Sequence, residues 1–266
     1  PNEIKPRRDC AWNLRSIALA ACVLLAACAP TREQQAQDTR DEAEAINGAR
    51  VHTELAAAWY GRRRFDIAVE ETNKAVESSP TYAPAFNMRG LIYMEVGEDN
   101  LARQAFERAL EIRPGDADTS NNFGWFLCNR NRAAESLAYF QRALEDRLYQ
   151  SPEKPLVNAG ICARKLGDNA KAENYFRRAL LVRPEQPLAH FNLADLAYRR
   201  GDMKLTKDHL GRALATGTVT AEMLWLKVRL ARKLGERSDE ASAALQLRRR
   251  FPQARETQLL MREAYD

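Results

Sequence analysis

A repeat with a period near 34 residues constrains this chain more than any other feature. It divides residues 49–254 into six units, 49–82, 83–116, 117–150, 153–186, 187–220 and 221–254, with Ser151 and Pro152 inserted after the third. Position 8 of the unit is small in Ala56, Gly90, Gly124, Gly160 and Ala194, and becomes Val228 in the sixth. Position 11 carries Trp59, Tyr93, Leu127, Ala163, Ala197 and Ala231. Position 15 carries Gly97, Asn131, Gly167, Gly201 and Gly235, residue types that tolerate the left-handed backbone at a helix end. Position 20 holds Ala68, Ala102, Ser136 and Ala172, position 24 holds Phe106, Phe140 and Phe176, and position 27 holds Ala75, Ala109, Ala143, Ala179 and Ala213. Position 32 holds Pro80, Pro114, Pro184 and Pro252, which stop a second helix.

Each column has a packing cause. Small residues at positions 8 and 20 let two helices approach, and aromatics at 11 and 24 fill the space beside them. One unit cannot bury both faces, so neighbours must stack. The columns resemble the tetratricopeptide repeat, closely in units two and four, well in one and three, and more weakly in five and six. The resemblance implies an all-α chain, a right-handed superhelical solenoid of six tetratricopeptide repeats. A capping helix over residues 255–266 would close the open end. The abundance of Ala, Leu, Arg and Glu agrees with helix over strand.

The N-terminal segment has a different logic. A basic stretch ends near Arg15, an apolar run follows from Ile17 to Ala26, and Leu25-Ala26-Ala27-Cys28 closes it. The apolar run is short of the roughly 20 residues that span a bilayer and has the proportions of an export signal. LAAC resembles a lipobox, which implies a cleaved signal peptide over 1–27 and a lipid, palmitate included, on Cys28. Ala29 stands where an aspartate would hold such a lipoprotein at the inner membrane, which implies the outer membrane, facing the periplasm. Several acyl chains on one cysteine suffice for stable anchoring. Residues 28–48 are polar enough to read as the lipidated cysteine and a flexible tether.

Composition narrows the function classes. With 45% apolar and 29% charged residues the chain is globular. Its net charge is +5, and the leader takes four of 41 basic and two of 36 acidic residues with it, leaving +3. That balance is no nucleic-acid footprint, and the runs Arg62–Arg64 and Arg248–Arg250 read as solvated helix faces. His52, His190 and His209 are scattered without evident partners, and no metal, nucleophile or phosphate-loop constellation is present in the sequence. The sequence therefore predicts no cofactor and no catalysis, and a chain that works as a monomer binding protein.

The partner surface is expected along the concave face lined by first helices, at unit positions 2, 5, 9, 12 and 13. Those include Asn87, Leu91, Met94, Asn121, Trp125, Asn129, Ile161, Phe191, Asp195, Tyr198 and Arg199. Asparagine can pair with a peptide backbone, and Trp or Tyr can anchor a side chain. Trp59 reads as core packing, and Trp225 as packing on the cap. Cys128 and Cys162 both fall near the end of a first helix in successive units. In an oxidising compartment they are disulfide candidates, the alternative being two buried thiols that act as apolar filler.

Two segments carry a narrower resemblance. Asn121-Asn122-Phe123-Gly124-Trp125-Phe126-Leu127-Cys128 and Asn158-Ala159-Gly160-Ile161-Cys162 resemble segments of the type IV pilus biogenesis and stability lipoproteins, the pilotins of the PilF/PilW type. The linker Asp146-Arg147-Leu148-Tyr149 before Ser151-Pro152 also resembles that family's inter-repeat loop. The resemblance implies that the chain binds secretin subunits and promotes their outer-membrane localisation and multimerisation during pilus biogenesis. A general adaptor scaffolding envelope proteases or cell-wall enzymes would share the anchor and the repeats.

Overall fold

A computed structural model describes residues 31–265, all in helices and the turns between them. The first helices of the six units are α1 (Arg32–Gly61), α3 (Ala83–Val96), α5 (Ala117–Asn129), α7 (Glu153–Lys165), α9 (Pro187–Arg200) and α11 (Ala221–Leu234). The second helices are α2 (Phe65–Ser78), α4 (Asp99–Ile112), α6 (Ala133–Glu145), α8 (Asn169–Val182), α10 (Met203–Ala215) and α12 (Arg237–Arg250). A final helix, α13 (Arg255–Met261), closes the stack. Each helix packs on its hairpin partner and on the next unit, which makes an all-α tetratricopeptide solenoid.

The close approach inside each hairpin comes from a matched pair of side chains. A Cβ on Gly90, Gly124 or Gly160 would lie 2.7, 2.8 or 2.5 Å from a ring carbon of Phe106, Phe140 or Phe176 respectively. The three rings are fully buried. Where position 24 is not phenylalanine, position 8 is larger: Ala56 goes with Thr72, Ala194 with Leu210, and Val228 with Ala244. Bulk lost from the second helix is replaced at least in part on the first, as dense packing favours.

The turn at position 15 is left-handed throughout. Gly97, Asn131, Gly167, Gly201 and Gly235 have φ of 82°, 60°, 80°, 84° and 74°. The first unit places Arg63 there with φ 59°, a conformation that glycine adopts without steric cost. Between units two and three, Phe106, Phe123 and Phe126 cluster with centroid separations of 5.5 to 6.1 Å, so one aromatic core spans the boundary.

Two expectations need correction. Residues 31–48 are not a flexible tether: α1 begins at Arg32 and runs without a break into the first unit. Thr31 caps it reciprocally with Gln34, and the Glu, Gln and Ala content favours helix even with its side chains in water. The reading that this segment has no core of its own stands, since residues 31–44 are exposed. The cap is also shorter than 255–266. It ends at Met261, Glu263 turns the chain with φ 52°, and Tyr265 folds back to stack on Trp225 at 5.6 Å. The signal segment and Cys28 lie outside the described residues.

Gly160→Ala therefore sets helix propensity, which favours Ala, against a ring contact with no room. We expect the clash to win, with a loss of about 1–3 kcal/mol in chemical denaturation that Phe176→Leu partly restores. Gly211→Ala is the control: it lies within α10 and its Cβ would meet nothing within 4 Å. It should gain about 0.5–1 kcal/mol. Equal effects of the two substitutions would refute the interlock.

Candidate functional site

The first helices stand side by side and form the inner face. A chain of amides crosses three of them. Asn158 Nδ2 donates to Asn121 Oδ1 at 2.9 Å, Asn121 Nδ2 to Asn122 Oδ1 at 3.3 Å, and Asn122 Nδ2 to Asn87 Oδ1 at 3.1 Å. The repeat places these residues at positions 5 and 6 of units two to four, one helix diameter apart. Each amide keeps hydrogen-bonding capacity beyond these contacts.

Farther along, the face becomes ionic. Asp195, buried, receives Arg164 from α7, Arg199 at 2.9 Å from its own helix, and Arg229 from α11 at 3.7 Å. Arg164 also donates to Asn192 Oδ1 at 2.6 Å. Arg229 lies 4.8 Å from the Tyr198 ring centroid and Lys233 5.5 Å from it. Lys165 donates to Asn129 Oδ1 at 3.0 Å and sits 5.8 Å from the Trp125 ring. One carboxylate thus orients three guanidiniums drawn from three units.

The sequence-predicted residues divide into two groups. Asn87, Asn121, Asn129, Asp195, Tyr198 and Arg199 join these networks, and Trp125 borders them. Leu91 and Met94 pack against the Phe106 cluster, Phe191 against Leu210 and Met223, and Ile161 against the core around Cys162. Column reading omitted Asn122, Asn158, Arg164 and Arg229. Arg164 and Arg229 occupy positions 12 and 9, two of the positions assigned to the groove, so the same columns carried their signal. Asn122 and Asn158 are at position 6, one step from the assumed stripe.

Trp59 packs against the core of the first unit, and Trp225 meets Tyr265 in the cap. Cys128 Sγ and Cys162 Sγ are 2.05 Å apart, with both residues buried. The bond joins α5 to α7 across the Ser151-Pro152 insertion and closes a loop between residues 34 apart.

The histidines are not partnerless, which corrects the reading from sequence. His52 Nδ1 lies 2.7 Å from Glu71 Oε2. His190 and His209 face each other through Nδ1 atoms 2.9 Å apart, and His190 Nε2 lies 2.9 Å from the Pro184 carbonyl. A carbonyl only accepts, so His190 donates from Nε2 and accepts at Nδ1 from His209. Sequence separation hid the pair, because its members meet only when α9 folds against α10. Burial, then His190, lowers the pKa of His209, with Arg212 and Arg177 acting the same way against Asp208.

A depressed histidine pKa means that the unfolded chain binds this proton more readily. The resulting stability is full above the unfolded pKa, near 6.5, and is lost as pH falls through the folded value. The melting temperature should therefore drop between about pH 7.5 and pH 5.5, and His209→Gln should flatten that slope. For the cysteine pair, reduction or Cys128→Ser with Cys162→Ser should cost about 2–4 kcal/mol. Uptake of alkylating reagent by both cysteines after unfolding without reductant would disprove the bond.

Comparison with known proteins agrees with this architecture. Residues 54–208 match the family model described as tetratricopeptide repeat. The chain is 26% identical over 245 residues to the type IV pilus assembly protein PilF of Pseudomonas aeruginosa, covering 92% of this chain and 94% of that one. The crystal structure of PilW, described as a widely conserved type IV pilus biogenesis factor, superposes with a TM-score of 0.71 at 32% identity, over 80% of this chain and 98% of that one. The solved structure of Pseudomonas aeruginosa PilF superposes with a TM-score of 0.74 at 26% identity, over 83% and 99%. Among the described residues no helix is long and apolar enough to cross a membrane. A stack of helical hairpins with an amide- and arginine-lined inner face, matched along nearly its full length, belongs to the tetratricopeptide-repeat family and within it to the non-enzymatic PilF/PilW-type pilus assembly proteins.

Proposed function

We propose that this chain is a lipid-anchored pilotin. It is held in the outer membrane through Cys28, binds subunits of the type IV pilus secretin on its inner face, and promotes their localisation and multimerisation there. The observation that carries the reading is the similarity to two pilus assembly proteins over nearly the whole of each of them. The amide chain through Asn87, Asn121 and Asn158 supports it, since unsaturated amides on a recessed face suit a peptide backbone. The residues at Leu91, Met94, Trp125, Asn129, Ile161, Phe191, Asp195, Tyr198 and Arg199 complete that proposed surface.

The anchor and the helix act together in this reading. Thr31 caps α1 three residues after Cys28, and the part of that helix ahead of the first unit, residues 32–48, spans about 25 Å. A lipid on Cys28 would place that helix between the bilayer and the repeats. Tethering raises the local concentration of the groove where the ring assembles.

Deleting the gene should abolish or strongly reduce secretin multimers on a non-dissociating gel together with surface pili. Normal multimers with normal piliation would exclude the pilotin role. Cys28→Ala should leave the melting temperature unchanged while the protein leaves the membrane fraction. Its retention in the outer membrane would show that the cysteine is not the anchor.

A further inference from the structure

The inner face is polarised in charge to a degree that the whole chain is not. Helices α7, α9 and α11 carry nine basic and three acidic residues, whereas α3 and α5 carry one basic and two acidic. One of the three acids, Glu153, is paired with Arg183, and another, Asp195, is enclosed by three guanidiniums, while two of the nine bases, Arg200 and Arg232, are paired with Glu173 and Glu240 of second helices. Among the described residues Lys165 and Lys233 have no carboxylate within 4 Å, and each lies against an aromatic ring instead. Positive charge therefore accumulates along the C-terminal half of the face.

Arg229 is the most informative member. Its side chain is 18% exposed, and its nearest carboxylate oxygen is 3.7 Å away, beyond hydrogen-bond reach. It makes no hydrogen bond among the described residues, and its Nε is buried without an acceptor. A half-buried guanidinium stacked on Tyr198 and short of acceptors is costly alone and favourable with a second carboxylate. Asp195 is buried behind it and already shared with Arg164 and Arg199, so the guanidinium retains capacity for a further carboxylate.

We propose that the inner face of the last three units is a docking site for an extended acidic segment of a partner protein, with one carboxylate of that segment on Arg229 and others on Arg199 and Lys233. This deepens the secretin reading and rests on it for the partner's identity. Two features favour a peptide over a nucleic acid or a lipid surface. Arg164 and Arg229 are recessed, the cations are interleaved with Trp125, Tyr198 and Trp225, and the face continues into the amide chain at Asn158 and Asn121, which suits a peptide backbone. A bilayer would meet an outer surface, and a duplex would need a wider stripe of the same sign.

Two probes test it by fluorescence anisotropy on the full repeat region: a labelled peptide of glutamates and leucines with its glutamine counterpart, and the purified periplasmic region of the cognate secretin. The acidic peptide should bind at least ten-fold more tightly than the glutamine form and lose about ten-fold in affinity as salt rises from about 50 to 300 mM. Lys165→Glu with Lys233→Glu, two exposed side chains with no carboxylate within 4 Å among the described residues, should abolish binding while leaving the melting temperature nearly unchanged. Arg62→Glu with Arg63→Glu, on the opposite end, should leave it intact. Arg229→Gln should weaken binding at least ten-fold. Equal binding of the two peptides, or secretin binding that ignores salt and the double reversal, overturns the inference while leaving the secretin reading in place. Acidic peptide binding without secretin binding upholds the site and removes the secretin as its occupant. Preference for phosphatidylglycerol vesicles or single-stranded DNA through the same residues overturns it as well.

Discussion

The solenoid depends on the contact of a backbone with a ring. At Gly90, Gly124 and Gly160 the first helix exposes bare backbone to a phenylalanine of the second, and there is no space for a methyl group between them. That distance sets how close the two helices of a hairpin lie. It therefore sets the spacing of successive first helices, and with it the separation of the asparagines and arginines on the inner face. The pairs Ala56 with Thr72, Ala194 with Leu210 and Val228 with Ala244 fill the corresponding positions in the other units with different chemistry. The fifth and sixth units depart from the pattern of the second and fourth without departing from its geometry, because packing responds to summed volume rather than to identity.

Where the repeat is interrupted, other interactions hold the neighbours in place. The Ser151-Pro152 insertion falls between the third and fourth units, and there the Cys128–Cys162 bond ties α5 to α7. Tyr149 donates from its hydroxyl to Asp118 at 2.9 Å and pins the linker to the start of α5. Burial, then the bond to that carboxylate, raises the phenol's pKa well above its ordinary value, so it remains a donor at any physiological pH. The amide chain crosses this same boundary from Asn121 to Asn158. The middle of the inner face is thus the part most firmly fixed, which suits a surface that reads a partner's backbone.

The periodicity made most of the fold legible. Residue size at position 8, turn type at position 15 and the stops at position 32 follow from local sterics, and each could be read without knowing what lay opposite. The helix over residues 32–48 was missed for an instructive reason: low apolar content argues against a core, and it was read as arguing against order. A capped segment rich in Glu, Gln and Ala can be helical with every side chain in water when it extends a helix that is already nucleated by packing. The cap is shorter than its sequence suggests because the chain turns at Glu263 and returns Tyr265 onto Trp225.

The inner face was legible only as a set of columns. Residue identities assigned Asn121, Asp195 and Arg199 to it, because position within the repeat determines which way a side chain leaves its helix. Which of those residues would work together was a matter of the third dimension. Asn87 reaches Asn122 across 35 residues, Arg164 reaches Asp195 across 31, and Arg229 arrives from a third unit. The pairing of His190 with His209, and the concentration of unneutralised charge on the last three first helices, likewise arise from superposition of repeats. A repeating sequence dictates the shape of each unit because that shape is local. It does not dictate the chemistry of the shared face, because each feature of that face is a sum over units that only stacking brings into register.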